Sequence, residues 1–215
     1  MLHTKFKQVE VDLILPGEEG PGPGLVFQFY DSDSKQAFIG GTSSPEKDWG
    51  SMYTSSAIGP GFCLRFSVYD IKQPVAIKYK PNQAVVNLHV QVSNDAYCSL
   101  GKMADDILLK EDYCQLFVQG EETFKNYLLP GNHIQMDCLF AARFLESFSE
   151  VESAIKPYLD QLLVNKTSFP GADPVKASSR MEELVKEISE YTHESKPAVS
   201  FFRTRAMEML RECLY

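Results

Sequence analysis

The period of the apolar residues divides this chain in two. From Phe62 to Phe140 they alternate with polar residues, and from Ala141 onward they recur every three or four positions. Alternation puts successive side chains on opposite faces of a strand, whereas the longer step marks one face of a helix. In the first region Phe62, Leu64, Phe66 and Val68 form one apolar strand face, and Val75, Ile77 and Tyr79 form a second. Val86, Leu88, Val90 and Val92 form a third, opposite Asn87, His89 and Gln91. The pattern continues through 107–109, 113–118 and 123–129, and ends with Ile134, Met136, Cys138 and Phe140 opposite His133, Gln135 and Asp137. Turn residues separate these runs at the spacing of an antiparallel sandwich or barrel. Upstream, 7–15 alternates as a half-buried strand stopped by Pro16, 16–24 reads as a Pro/Gly loop, and 25–30 as a strand. Residues 31–61, rich in Ser, Gly, Asp and Pro, read as extended loops with one short strand at 37–39.

Beyond Ala141, Phe144, Leu145 and Phe148 fit a first helix, and Val151, Ile155, Tyr158, Leu159 and Leu162 a second. After a loop at 165–172, Asp173-Pro174 supplies an N-cap followed by a first-turn proline. The helix expected there carries Met181, Leu184, Ile188 and Tyr191 on one stripe. Ser195-Lys196-Pro197 opens a last helix striped by Phe202, Ala206, Met209, Leu210 and Cys213. Such stripes normally pack on a neighbouring helix. Two amphipathic helices rarely bury two whole stripes unaided, so Met181, Leu184, Ile188 and Tyr191 are also the expected seam of a homodimer. The last helix runs to Tyr215 with no Gly, Asn or Pro to close it, which reads as a severed connection to a further part.

Composition narrows the function. The 215 residues suit one large domain or a domain with a helical appendage, and 44% apolar content supports a sizeable core. A net charge of −8 argues against the chain by itself gripping a nucleic-acid backbone, which requires a basic stripe. Five scattered cysteines without a CxxC argue for buried thiols in a reducing compartment. No signal-peptide core or membrane-length apolar run is present, so the expected location is cytoplasmic, with no membrane partner.

Motifs for chemistry are sparse. There is no phosphate-cradling glycine loop, no G-x-S-x-G and no HExxH. His3 and His193 read as solvated, and the lone Trp49 as packed on the core. His89 and Gln91 share one strand face, and Pro130-Gly131-Asn132-His133 places another histidine after a tight turn. This pair of segments faintly resembles the two histidine motifs of cupin metalloenzymes, but Gln91 stands where the second histidine would be and no Glu follows at the matching spacing. A competent site wants three or four good ligands, so neither a metal nor another cofactor is assigned. Barrel-region aromatics, including Tyr53, Tyr69, Tyr79 and Tyr113, leave room for a small-molecule pocket; the same residues would also fill a closed barrel.

Four segments carry a family resemblance: Asn87-Leu88-His89-Val90-Gln91-Val92, Asp112-Tyr113-Cys114-Gln115-Leu116-Phe117-Val118, Leu129-Pro130-Gly131-Asn132-His133-Ile134-Gln135-Met136-Asp137 and Phe144-Leu145-Glu146-Ser147-Phe148. In order and pattern they resemble the sensor half of AraC-type transcription regulators, and 201–210 resembles the helix leading out of that half. The resemblance implies an α+β chain. An antiparallel cupin-like barrel of jelly-roll type would occupy 1–140 and sense an unknown small-molecule effector, and a helical segment at 141–215 would pair two subunits. No helix-turn-helix pair follows, so DNA would be reached only through a missing C-terminal part. Candidate ligand contacts are His89, Gln91, His133 and Tyr113, with no catalytic residue expected. The rival readings are a metal-dependent cupin enzyme and a free-standing partner-binding protein that modulates a full-length regulator.

Overall fold

Twelve short strands and four helices make up the described part of the chain. The computed structural model describes residues 7–10, 38–43, 48–79, 83–100, 106–170, 173–191 and 198–215, with only the backbone for 7–10, 38–43 and 198. The strands are β1 (Lys7–Glu10), β2 (Phe38–Ser43), β3 (Gly50–Gly59), β4 (Phe62–Ile71), β5 (Val75–Tyr79), β6 (Val85–Ser93), β7 (Ala96–Leu100), β8 (Ile107–Leu109), β9 (Tyr113–Gln119), β10 (Phe124–Leu128), β11 (Gly131–Phe140) and β12 (Val175–Lys176). The helices are α1 (Ala142–Ser149), α2 (Lys156–Leu163, entered through a 3-10 turn at Ser153–Ile155), α3 (Ser179–Ser189) and α4 (Ala198–Leu214).

The strands form a five-stranded sheet, β1-β5-β10-β7-β8, and a seven-stranded sheet, β12-β9-β6-β11-β4-β3-β2. All pairings are antiparallel except β1 with β5. The chain is an α+β protein: an antiparallel cupin-like barrel followed by a C-terminal helical segment.

The large sheet is covered on both sides. Phe62 and Leu64 of β4, Val86, Leu88 and Val90 of β6, Leu116 of β9 and Met136, Cys138 and Phe140 of β11 share one core with all four helices. Tyr69, Phe117 and Trp49 share a second core with Ile77, Cys98 and Leu128 of the small sheet. The apolar faces read from the sequence are therefore real, but on the large sheet they point out of the barrel towards the helices. The polar faces opposite line the lumen.

Several expectations change. The Ser-rich segment assigned to loops contains β3, ten residues long and paired with both β2 and β4. β7, which the reading omitted, pairs with β10 and β8. Asp173-Pro174 does not start a helix: Val175 and Lys176 pair with β9 instead, and Ser178 caps α3 by accepting the Met181 N–H at 3.0 Å. Strand 25–30 and the opening of the last helix at 195–197 lie outside the described residues. Trp49 is buried as expected.

Met181, Leu184 and Ile188 are buried in the helix-facing core, and Tyr191 packs beside it on Phe201 and Phe202. The stripe read as a dimer seam is occupied within the chain. Charges tie α3 to α4: Arg180 reaches Glu208 at 2.6 Å and Arg205 reaches Glu187 at 2.6 Å.

The corner ahead of β3 depends on one glycine. The Trp49 carbonyl accepts the Lys72 N–H at 2.9 Å, and Gly50 turns with φ +132°. A Cβ on Gly50 would run into the carbonyl oxygen of Asp70, whereas one on Gly131 (φ +141°) would meet only the Asn94 amide at 3.5 Å. Both alanine variants pay backbone strain of about 1–3 kcal/mol, and only Gly50→Ala adds a clash with main chain. Urea unfolding should therefore show a larger stability loss for Gly50→Ala than for Gly131→Ala.

Candidate functional site

The lumen face of the large sheet is built from alternate residues of four neighbouring strands. In register, Gln115, His89, Asp137 and Arg65 form one row across β9, β6, β11 and β4. Tyr113, Gln91, Gln135 and Ser67 form the next row, and His133 lies opposite Tyr69 beyond it. A strand's period of two makes this stacking automatic once one member faces inward. Arg65, Asn87, His89, Gln91, His133, Gln135 and Asp137 are all buried.

Asp137 organises the row. Its Oδ2 accepts from Arg65 Nη2 at 2.5 Å and Nε at 3.2 Å. Its Oδ1 accepts from His89 Nδ1 at 2.9 Å and Asn87 Nδ2 at 3.2 Å. Burial alone would push this carboxyl up, but the Arg65 charge and the His89 hydrogen bond outweigh it and hold Asp137 well below the ordinary carboxylate value. Burial likewise works against the charge of Arg65, and Asp137 more than restores it.

Gln91 fixes the far side of His89. Its Nε2 donates to the carbonyls of Ser93 at 3.0 Å and Asn94 at 2.5 Å, leaving Oε1 to face His89 Nε2 at 2.9 Å. The His89 ring is thus held between Asp137 and Gln91, with a side-chain partner at each nitrogen. Among the described residues, no group of three or more His, Cys, Asp and Glu side chains is placed to hold a metal ion.

Across the lumen the guanidinium of Arg65 lies 5.4 Å from the centre of the Tyr79 ring. Tyr79 and Tyr69 join hydroxyl to hydroxyl at 3.0 Å, which links the two sheets. Burial pushes both phenols up, so both remain neutral hydroxyls.

Three of the four candidate ligand residues face this lumen. His89 and Gln91 are in contact. His133 is also buried, with Nε2 donating to the Leu129 carbonyl at 2.7 Å. Tyr113 follows the same register but is only half-buried, and its ring and hydroxyl engage Lys110 instead. The sequence reading did not single out Arg65, Asn87, Gln135 or Asp137 as site residues. The available signal was a polar residue recurring at the same parity on adjacent strands.

Several buried atoms on this surface lack hydrogen-bond partners among the described residues, Asn87 Oδ1 and Gln115 Oε1 included. Neither amide atom of Gln135 has a hydrogen-bond partner among the described residues, and neither does His133 Nδ1. Gln135 is fully buried. A buried polar atom left unpaired costs about 1–3 kcal/mol, so an unpaired buried amide calls for a further hydrogen-bonding group.

The charged row yields a stability prediction. Removing one member of a buried ion pair costs about 3–5 kcal/mol, while replacing both with apolar residues is often close to neutral. Asp137→Asn should show the large loss in urea unfolding at neutral pH, and Arg65→Met/Asp137→Leu should lose less than either single variant. The folded-state pKa of Asp137 is depressed, so its contribution is present above the unfolded value of about 3.9 and is lost as pH falls below it. The stability difference between wild type and Asp137→Asn should therefore shrink when measured at pH 3.

No protein-family model matches this chain, and no curated protein matches it in sequence. Among solved structures, it is similar to the AraC-like transcriptional activator CuxR, with 10% identity and a TM-score of 0.45, over 78% of this chain and 56% of that one. It therefore spans little more than half of the CuxR chain. It is also similar to the Cupin_2 domain of an XRE family transcriptional regulator from Enterobacter cloacae, with 14% identity and a TM-score of 0.33, over 42% of this chain and 95% of that one. A third similarity is to FeII HppE, with 10% identity and a TM-score of 0.38, over 51% of this chain and 62% of that one. At these identities the likenesses assign no activity to the chain.

Proposed function

We propose that this chain is the effector-sensing and pairing module of an AraC-type transcription regulator. The barrel binds a small polar molecule without transforming it. Its occupancy changes the posture of the helices and, through them, an attached DNA-binding unit. The reading includes a homodimer formed through faces of the helical segment other than the Met181, Leu184, Ile188 and Tyr191 stripe. The observation that carries it is the fully buried Gln135 amide, which faces the lumen with both atoms unpartnered among the described residues.

The wall of the barrel supplies a route from ligand to helix. β11 presents Gln135 and Asp137 inward, while Met136 and Cys138 join the helix-facing core. Cys138 Sγ lies 3.6 Å from Met209 Sδ on α4. A ligand that repositions Gln135 moves the strand on which α4 rests, and the Arg180–Glu208 and Arg205–Glu187 pairs carry α3 with it. A ligand shifts such an equilibrium only by its differential affinity for the two postures.

The test is a thermal-shift series with monosaccharides and hydroxybenzoates as probes. A binder at 100 times its Kd stabilises the fold by about 2.7 kcal/mol, which raises Tm in a concentration-dependent way. Gln135→Leu removes the unpaired amide at similar volume, so the unliganded variant should be as stable as wild type or more so. It should also lose the ligand response. A probe that raises Tm equally in wild type and Gln135→Leu would take the binding site out of the lumen.

A further inference from the structure

Sulfur is concentrated where α4 lies on the large sheet. Met209 touches Cys138 of β11, and one helical turn further on Cys213 packs against the same core. β9 and β11 flank β6, so they lie about 10 Å apart, while Met209 and Cys213 are separated by about 6 Å along the helix axis. An oblique crossing from β11 to β9 would carry Cys213 over Cys114. α-Carbons of α4 and β9 approach within 8 Å, and Cys114 belongs to the core against which Cys213 packs. The two thiols interact side chain to side chain. Cys114 is buried and Cys213 is partly exposed in the last turn of α4, where opening is easiest.

We propose that Cys114 and Cys213 form a dithiol site that hydrogen peroxide oxidises to a disulfide joining β9 to the last turn of α4. Cys213 donates towards the Cys114 sulfur and favours its thiolate, so the Cys114 pKa falls and that of Cys213 rises. The Cys114 thiolate attacks one peroxide oxygen. The O–O bond breaks, and the departing hydroxide takes a proton and leaves as water. The Cys213 sulfur then attacks the resulting sulfenic acid. The S–S bond forms as the S–O bond breaks, and hydroxide leaves with the Cys213 proton as a second water. The two thiols together give up two electrons, and the peroxide takes both. The remaining cysteines are poor thiolates: burial pushes Cys63 up to about 12 and raises Cys98 and Cys138 as well.

The covalent link would hold α4 against the sheet whatever the lumen contains, so this site stands independently of effector binding. The reduced full-length chain should be exposed to hydrogen peroxide, alkylated and mapped by mass spectrometry without reduction. The expected product has lost two hydrogen atoms, contains a linked peptide pair holding Cys114 and Cys213, and reverts with dithiothreitol. Amide exchange in the last turn of α4 should slow about tenfold or more on oxidation, because local opening of that turn is suppressed. Cys114→Ala and Cys213→Ser should each abolish both changes, and a Cys63→Ala/Cys98→Ala variant should retain them. A link to another cysteine, a sulfinic acid on Cys213 without a link, or an intermolecular disulfide as the main product would overturn the assignment.

Discussion

The barrel closes around one buried ion pair. Arg65 and Asp137 sit opposite each other on adjacent strands, and each makes the other's burial tolerable. A carboxylate on β11 that accepts four hydrogen bonds from its two neighbouring strands also acts as a positional standard. β4, β6 and β11 can each slide by one residue only by breaking it, and such a slip would turn every lumen residue outward. The neighbouring Tyr69–Tyr79 contact extends this reference to the small sheet. The polar lumen is therefore a stiff frame in which Gln135 is a fully buried member with both amide atoms unpartnered among the described residues.

Burial on both faces gives the large sheet its mechanical character. An antiparallel sheet usually keeps one side wetted, with polar residues towards water. Here the helices take the apolar side, and the polar side encloses the lumen. Each central strand then touches two interiors through alternate residues. Interiors packed at crystal-like density transmit displacement because they have little free volume to absorb it.

Much of this was legible in the sequence. The alternating runs gave the strands and correctly paired the members of each face, and His89, Gln91 and His133 were placed on one side of their strands. What alternation cannot supply is orientation. A period of two says that His89 and Leu88 point apart, not which of them faces the lumen. The helices that settle the question are distant in sequence. Arg65 escaped notice because only the apolar members of its strand defined the pattern, and its partner Asp137 is 72 residues away. β3 was hidden by Ser, Thr and Gly, which have turn-like composition but accept strand geometry when β4 supplies the hydrogen bonds. At Asp173-Pro174 a good local cap lost to strand pairing with β9, and Ser178 took over the capping role.

The position of the only tryptophan has an optical consequence. Trp49 packs between the two sheets with Tyr69 and Ile71, and the helix-facing core contains no tryptophan at all. Indole emission therefore reports the condition of the barrel interior, whereas helical circular dichroism reports the layer outside it. The chain carries a built-in means of observing whether its two interiors melt together or in sequence.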